Sequence, residues 1–122
     1  VIILDSTIMK IINVLEGAKE TAFLIMNSAK GEKELGLGGH FNTFVVDATG
    51  IALELGLIVA GQPIASTPML GAFSRATKLV GMESIGRAIL EEWRGGVGEK
   101  NVRAAEEAYK RVSPSLKERT AR

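Results

Sequence analysis

Positions 44–52 read Phe44-Val45-Val46-Asp47-Ala48-Thr49-Gly50-Ile51-Ala52, and the pattern of apolar residues changes midway through this run. One aromatic and two β-branched residues in succession predict a β-strand that ends at Asp47. Thr49 is a residue type that can cap a helix, and apolar residues at helical spacing follow as far as Gly56. A strand that leads directly into a helix is typical of parallel α/β sheets.

Two further strand-like runs precede this unit, at residues 1–4 and 22–26. Each run is apolar and is followed by short polar residues, which favour turns and helix caps. Between the two runs, a helix that ends near Gly17 is predicted by four apolar residues at helical spacing: Ile8, Ile11, Ile12 and Leu15. The order strand, helix, strand again indicates parallel pairing.

The rest of the chain is predicted to be mainly helical. Residues 57–64 contain a glycine and a proline and predict an irregular buried crossing. Pro68 suits the first turn of the next helix. Three apolar faces are then expected, with Gly95, Gly96 and Gly98 as a break before the last: Met69, Leu70, Phe73 and Ala76; Met82, Ile85, Ile89 and Trp93; and Val102, Ala105, Tyr109 and Val112. The last helix also offers acid–base pairs at i,i+4: Glu99/Arg103, Glu106/Lys110 and Glu107/Arg111.

These elements predict a single α/β domain over residues 1–122. Its fold is expected to be a layered, largely parallel sheet flanked by helices, with a helical C-terminal third. The length of 122 residues fits one domain, and 46% hydrophobic residues suffice for a packed core.

The charge balance gives no sign of a polyanionic partner. The formal net charge is +1, from 15 basic and 14 acidic residues, so binding to nucleic acid or to an anionic membrane is not expected. The sequence has no apolar run near 18 residues, and residues 1–5 lack the basic flank of a signal peptide. We therefore expect a cytoplasmic protein.

The metal-binding residue types are nearly absent. The 122 residues contain no cysteine and one histidine, His40. Iron–sulfur clusters are held mainly by cysteine thiolates, and structural zinc by cysteine and histidine. We therefore expect no metal ligands and no cofactor bound by this chain alone, so any electron transfer would run through groups held elsewhere.

Catalytic motifs are weak. The run Gly36-Leu37-Gly38-Gly39 is not a dinucleotide fingerprint, because Phe41 stands at its sixth position and a strand follows where a helix is needed. His40 lies in this glycine-rich loop with nothing nearby in sequence to orient it as a base. No catalytic residue is predicted.

The carboxyl ends of the predicted strands are the place to look for a binding site. Asp5, Asn27 and Asp47 each end a strand, and in parallel sheets these ends border the ligand crevice. The alternative interpretation is that the three residues cap helices and form turns. Ser66 and Thr67, before Pro68, could likewise form an anion-binding helix N-terminus or simply begin a helix.

Most of the chain also resembles a known family. The matching runs, in chain order, are Leu4-Asp5-Ser6-Thr7, Leu24-Ile25-Met26-Asn27-Ser28, Val46-Asp47-Ala48-Thr49-Gly50-Ile51-Ala52, Pro63-Ile64, Thr67-Pro68-Met69-Leu70-Gly71-Ala72-Phe73, Met82-Glu83-Ser84-Ile85 and Glu99-Lys100-Asn101-Val102. In this order and spacing they resemble the C-terminal portion of the gamma subunit of pyruvate or 2-oxoacid:ferredoxin oxidoreductases.

Two departures from the family pattern are visible. Ser66 stands where the family usually has asparagine, and the glycine-rich stretch of the form G-R-G-G-Q-G is absent. Because Val1 also begins within a strand-like run, we expect that the N-terminal part of the subunit precedes these residues.

The resemblance implies an accessory subunit with alpha, beta and delta partners. The assembled enzyme would convert pyruvate and coenzyme A to acetyl-CoA and CO2 and reduce ferredoxin. It would use thiamine diphosphate, magnesium and iron–sulfur clusters held by partner chains. The resemblance also suggests Ser66, Thr67 and Met69 as cofactor-binding residues near coenzyme A. The alternatives are a free-standing small-molecule binding module, which would use the crevice beside Asp5, and a structural interaction domain.

Overall fold

The computed structural model describes residues 1–37 and 41–113. Three strands form a parallel sheet in the order β1-β2-β3: β1 is Ile2–Ile3, β2 is Phe23–Asn27 and β3 is Asn42–Val46. Ile25 pairs with Ile2 on one side and with Phe44 on the other. The predicted α/β fold with a parallel sheet and a helical C-terminal third is confirmed.

The sheet buries both of its faces, but with different structures. Ile25, Phe44 and Val46 pack on the helices, whereas Leu24 and Met26 face a smaller cluster formed with Ile3 and Leu37. Alternate residues of a strand point to opposite faces, so the apolar runs of parallel strands supply both layers. The larger layer is helical, and the smaller one is built from turns and loops.

Helix α1, Ala48–Glu54, follows β3 directly. Its N-cap is Asp47, whose Oδ1 accepts a hydrogen bond of 2.9 Å from the backbone N–H of Gly50. The predicted cap at Thr49 is therefore wrong by two residues. Aspartate at the strand end already satisfies a free N–H group of the first turn, so the helix begins earlier.

The predicted helix between β1 and β2 is wrong. Residues Ser6–Lys10 form a 3₁₀ helix, and turns follow. Ile11 is 79% exposed, so the expected apolar face has no surface to pack against in the described structure. A short helix in water needs such packing, and β-branched isoleucines lose side-chain freedom in a helix.

Residues 57–64 are neither irregular throughout nor buried throughout, which corrects the prediction. Strands β4, Ile58–Val59, and β5, Gln62–Pro63, form a small antiparallel hairpin. The two residues between them, Ala60 and Gly61, have φ values of 50° and 77°. Positive φ at both central positions is the pattern of a tight type I′ hairpin turn.

The C-terminal part contains α2, Ser66–Thr77, α3, Met82–Glu92, and α4, Gly95–Arg111. Ile85 and Ile89 are buried as predicted, but Trp93 lies at the end of α3 and is 43% exposed. The expected glycine break is confirmed only at Gly95, which has a φ of 71° where α4 begins, whereas Gly96 and Gly98 lie inside α4. A helix begins readily after Arg94, whose backbone is extended.

Small residues explain how α2 and α4 pack. A Cβ atom added at Gly71 would overlap the backbone carbonyl oxygen of Ala105. The buried face of α4 accordingly consists mainly of small residues: Gly98, Asn101, Ala104, Ala105 and Ala108. The predicted stripe holds only in part, since Tyr109 is 39% exposed. Helices whose backbones approach closely need small residues at the contact.

Candidate functional site

A polar cleft of about 550 Å³ opens where the three parallel strands end. Asp5, Asn27 and Asp47 all line it, so the prediction that the strand ends meet at one crevice is confirmed. Ser6, Ser28 and Thr49 add hydroxyl groups. The hairpin contributes Gln62, and Ala65 brings the beginning of α2 to the rim.

Asn27 ties the floor of the cleft together. Its Nδ2 donates hydrogen bonds to the Leu4 carbonyl at 2.9 Å and to the Thr49 hydroxyl at 2.8 Å. Its Oδ1 accepts a hydrogen bond of 3.2 Å from the Thr49 backbone N–H. The side chain is buried at 8% exposure, and one residue thus links the ends of β1 and β2 to the first turn of α1.

The two carboxylates of the cleft have local structural partners. Asp5 Oδ1 accepts hydrogen bonds from the Thr7 hydroxyl at 2.7 Å and from the Thr7 N–H at 3.0 Å. These bonds, the hydroxyl first, lower the pKa of the Asp5 carboxyl below its usual value. Asp47 caps α1 through Oδ1. The capping interpretation therefore describes the hydrogen bonds of both residues, although both also face the cleft.

The predicted cofactor-binding residues lie at the beginning of α2, and they differ in how far their side chains are exposed to solvent. Ser66 is exposed, whereas Thr67 and Met69 are each only 2% exposed and Met69 belongs to the main core. The N-cap is Ala65, which has no side chain that could bond to the first turn. The proposed role of Ser66, Thr67 and Met69 stays a prediction, and of the three only Ser66 is placed at the surface.

The glycine-rich segment can be followed only in part. Gly36 lies in a turn with φ of 71°, and Leu37 is buried. Gly38, Gly39 and His40, which carried the dinucleotide and general-base alternatives, lie outside the described residues.

A second, smaller cavity of about 230 Å³ lies on the other side of Asp47. It includes Lys30, Glu54 and Arg111, which sequence reasoning did not single out as site residues. Arg111 Nη2 lies 3.0 Å from a Glu54 carboxylate oxygen, and its Nε lies 3.0 Å from one of Glu107. The hydrogen bond to Glu54 raises the pKa of Arg111 and lowers that of Glu54.

Only part of this charge cluster had a sequence signal. The i,i+4 spacing predicted the pair Glu107/Arg111, which is confirmed. The Glu54–Arg111 pair joins two helices that are distant in the chain, so no local spacing could have indicated it. Within residues 1–37 and 41–113, neither Glu99/Arg103 nor Glu106/Lys110 forms an ion pair, and Lys110 lies 3.9 Å from Glu107 instead.

Across residues 1–37 and 41–113, no three histidine, cysteine, aspartate or glutamate side chains are grouped so that they could hold a metal ion. In the same part of the chain, no helix has the length and apolar character needed to cross a membrane.

The fold and the cleft together define a parallel α/β domain with a polar cleft at the carboxyl ends of its strands. Residues 1–111 match the family model described as pyruvate ferredoxin/flavodoxin oxidoreductase, and the chain belongs to this family.

Individual relatives agree with this assignment. The chain is 43% identical over 109 residues to pyruvate synthase subunit PorC of Methanocaldococcus jannaschii, which covers 89% of this chain and 57% of the relative. It is 40% identical over 117 residues to the pyruvate/ketoisovalerate oxidoreductases common subunit gamma of Thermococcus kodakarensis, with coverage of 92% and 60%.

A solved structure shows the same fold. The crystal structure of pyruvate oxidoreductase subunit PORC from Thermotoga maritima is similar with a TM-score of 0.79 and 31% sequence identity. That similarity covers 92% of this chain and 62% of the Thermotoga chain. The resemblance to the gamma subunit is thereby confirmed, and the chain spans about three-fifths of the length of these relatives.

Proposed function

We propose that the chain forms part of the accessory gamma subunit of a pyruvate (2-oxoacid):ferredoxin oxidoreductase. The enzyme would convert pyruvate and coenzyme A to acetyl-CoA and CO2 and reduce ferredoxin, in the cytoplasm. The observation that carries the proposal is the 43% identity to a pyruvate synthase subunit over 89% of this chain. The proposed partners are the alpha, beta and delta subunits.

The chemistry of this chain suits a structural contribution to such an enzyme. Thiamine diphosphate and iron–sulfur clusters supply the decarboxylation and electron-transfer chemistry in the proposed complex. The 122 residues contain no cysteine, so they do not fit an iron–sulfur cluster held by thiolates. We propose that other chains hold both groups, thiamine diphosphate with its magnesium because the family resemblance implies it.

The test of this proposal uses the native protein. A tag placed on the chromosomal gene would allow capture of the subunit from its own cells, followed by an assay of coenzyme A-dependent pyruvate oxidation with a viologen acceptor. We expect brown, cluster-bearing partners that copurify with this activity. A colourless protein that is captured alone and shows no activity would contradict the proposal.

A contact with coenzyme A is proposed at the beginning of α2, where Ser66 is exposed and follows Ala65, a residue that lines the cleft. Ser66→Ala in the assembled enzyme should raise the KM for coenzyme A about threefold, the effect of losing one hydrogen bond, and leave the KM for pyruvate unchanged. Ser84→Ala is the matched control, because Ser84 is also an exposed serine near the beginning of a helix. Equal KM values for both variants would remove this role of Ser66.

A second candidate function rests on the 550 Å³ cleft itself. Its hydroxyl, amide and carboxylate groups could bind a small polar molecule in a free-standing module. Screening the purified chain by thermal shift would separate the two functions. Saturable binding that Thr49→Val abolishes, by a protein without copurifying subunits, would favour the binding module.

A further inference from the structure

The two edge strands of the sheet, β1 and β3, differ in what pairs with their outer sides. Beyond β3, Ser113 donates its backbone N–H to the Val45 carbonyl at 2.9 Å and forms a bridge there. Beyond β1, no residue of 1–37 or 41–113 pairs with the strand, whose one neighbour in the sheet is β2. An edge strand presents unpaired N–H and C=O groups, and native proteins usually protect or cover such an edge.

The open edge borders an apolar groove of about 600 Å³. We call it the β1 groove, and its apolar wall is formed by Val1, Ile2, Leu4, Ile8, Ile11 and Val14. Ile11 is 79% exposed and Leu4 50%, although both are large aliphatic residues. A contiguous apolar surface of this kind marks a place where another polypeptide segment packs.

The backbone of β1 indicates what kind of segment fits. The Val1 carbonyl accepts a hydrogen bond of 2.9 Å from the Ile25 N–H, so the backbone groups of Val1 point toward β2. Successive residues of a strand direct their backbone groups to opposite sides. The N–H and C=O of Ile2 therefore face the open edge, where they can pair with a further strand.

We infer that the β1 groove is filled by an apolar strand from the remainder of the same subunit. The relatives supply the argument for this occupant, because the matched region covers only 57% to 62% of their length. The rest of such a subunit is long enough to supply a strand and a crossover connection. The inference rests on the family relationship, and the catalytic part of the proposed function is not needed for it.

Cysteine labelling tests whether the groove is covered. The 122 residues contain no cysteine, so Ile11→Cys and Leu79→Cys each introduce one new site that peptide mass spectrometry can follow. The two positions are matched by exposure, at 79% and 76%. In the native subunit produced without its partners, we expect maleimide to modify Ile11→Cys about tenfold more slowly than Leu79→Cys.

Equal labelling rates in the subunit alone would overturn the inference. Protection of Ile11→Cys that arises only in the assembled enzyme would also overturn it, since the occupant would then be a different subunit. Neither result depends on enzyme activity, so failure here and failure of the proposed function can be told apart.

Hydrogen exchange tests whether the occupant is a strand. In the same native subunit the Ile2 amide should exchange about a hundredfold more slowly than an unprotected amide, because it would be hydrogen-bonded across the edge. An Ile2 amide that exchanges at the unprotected rate, even with Ile11→Cys shielded, would contradict strand addition.

Discussion

Ile89 in α3 is 2% exposed and Ile11, just after the 3₁₀ helix, is 79% exposed, although each was predicted to lie on the apolar face of a helix. The difference follows from what surrounds them. Residues 66–111 contain three helices that pack on one another, with α2 against the sheet, whereas residues 1–22 contain one short strand, a 3₁₀ helix and turns. Apolar spacing produces a helix where a partner surface exists and exposes side chains where none does.

The largest loss of stability is expected where two helices of the C-terminal region are in closest contact. Gly71→Ala places a methyl group into the backbone carbonyl of Ala105, and neither backbone can rotate away, so α2 and α4 must separate. We expect the free energy of unfolding to fall by about 4 kcal/mol, measured by urea denaturation.

Gly86→Ala is the matched control for this variant. Gly86 also lies inside a helix, but its added Cβ would meet the Val102 side chain at 3.8 Å, an ordinary contact. Alanine should stabilise α3 there by about 0.5 kcal/mol through its helix propensity. Equal losses in both variants would show that the close contact at Gly71 is not what limits packing.

The same substitution in the two regions tests the comparison directly. Ile89→Ala removes a fully packed side chain and should lower the free energy of unfolding by about 3 kcal/mol. In the 122-residue chain alone, Ile11→Ala should change it by less than about 0.5 kcal/mol, because the side chain is in water there. A large loss for Ile11→Ala would mean that residues 1–22 are packed more tightly than their exposure indicates.

An intermediate effect is expected where the two regions meet. Asn27→Ala removes the three hydrogen bonds that join the Leu4 carbonyl and Thr49, and should cost about 2 kcal/mol. Asn42→Ala removes one exposed bond, from Nδ2 to the Thr21 carbonyl at 3.0 Å, and should cost about 0.5 kcal/mol. Thermal unfolding of the two variants compares their losses of stability. A larger loss for Asn42→Ala than for Asn27→Ala would contradict the role of Asn27 in joining the two regions.

The smallest effect concerns acid stability of the first turn after β1. Bonds from Thr7 lower the folded-state pKa of Asp5 below the reference value of 3.8. Its stabilising contribution is therefore complete above that value and is lost as the pH falls through the folded pKa. Asp5→Asn should lower the urea midpoint at about pH 7, and its difference from the unmodified protein should shrink as the pH falls below 3.8.

Glu16→Gln is the control for this titration, since it also removes an exposed carboxyl from the N-terminal region. A midpoint difference for Asp5→Asn that stays constant with pH would show that the hydrogen bond geometry, and not the charge, is what matters.

The fold could be predicted wherever local patterns and packing agree. The strands at Phe44 and Leu24 and the buried stripe of Ile85 and Ile89 are examples, because one element carries both the pattern and its partner surface. Gly96 and Gly98, which lie inside α4, were wrongly predicted to break the chain. Glycine is needed at position 98 because a Cβ atom there would overlap the Trp93 carbonyl oxygen and press on the Leu90 side chain. The sequence pattern of α4 alone does not reveal these neighbours.

The candidate site divides in the same way. Asp5, Asn27 and Asp47 were predicted to meet because parallel topology brings strand ends together. Gln62 and Ala65 were missed, since their place at the cleft depends on the hairpin turn at Ala60 and Gly61. An Ala-Gly pair is a weaker sequence signal for such a turn than Asn-Gly, which is why the hairpin was not anticipated.

The contact between Gly71 and Ala105 also has a consequence for synthesis on the ribosome. The two residues are far apart in the chain, so α2 emerges well before the helix that covers it. Until α4 follows, the nascent chain leaves the face of α2 around Gly71 uncovered and open to chaperones. The domain can therefore close only after α4 has left the exit tunnel, and capture of the nascent chain by chaperones should end at that point.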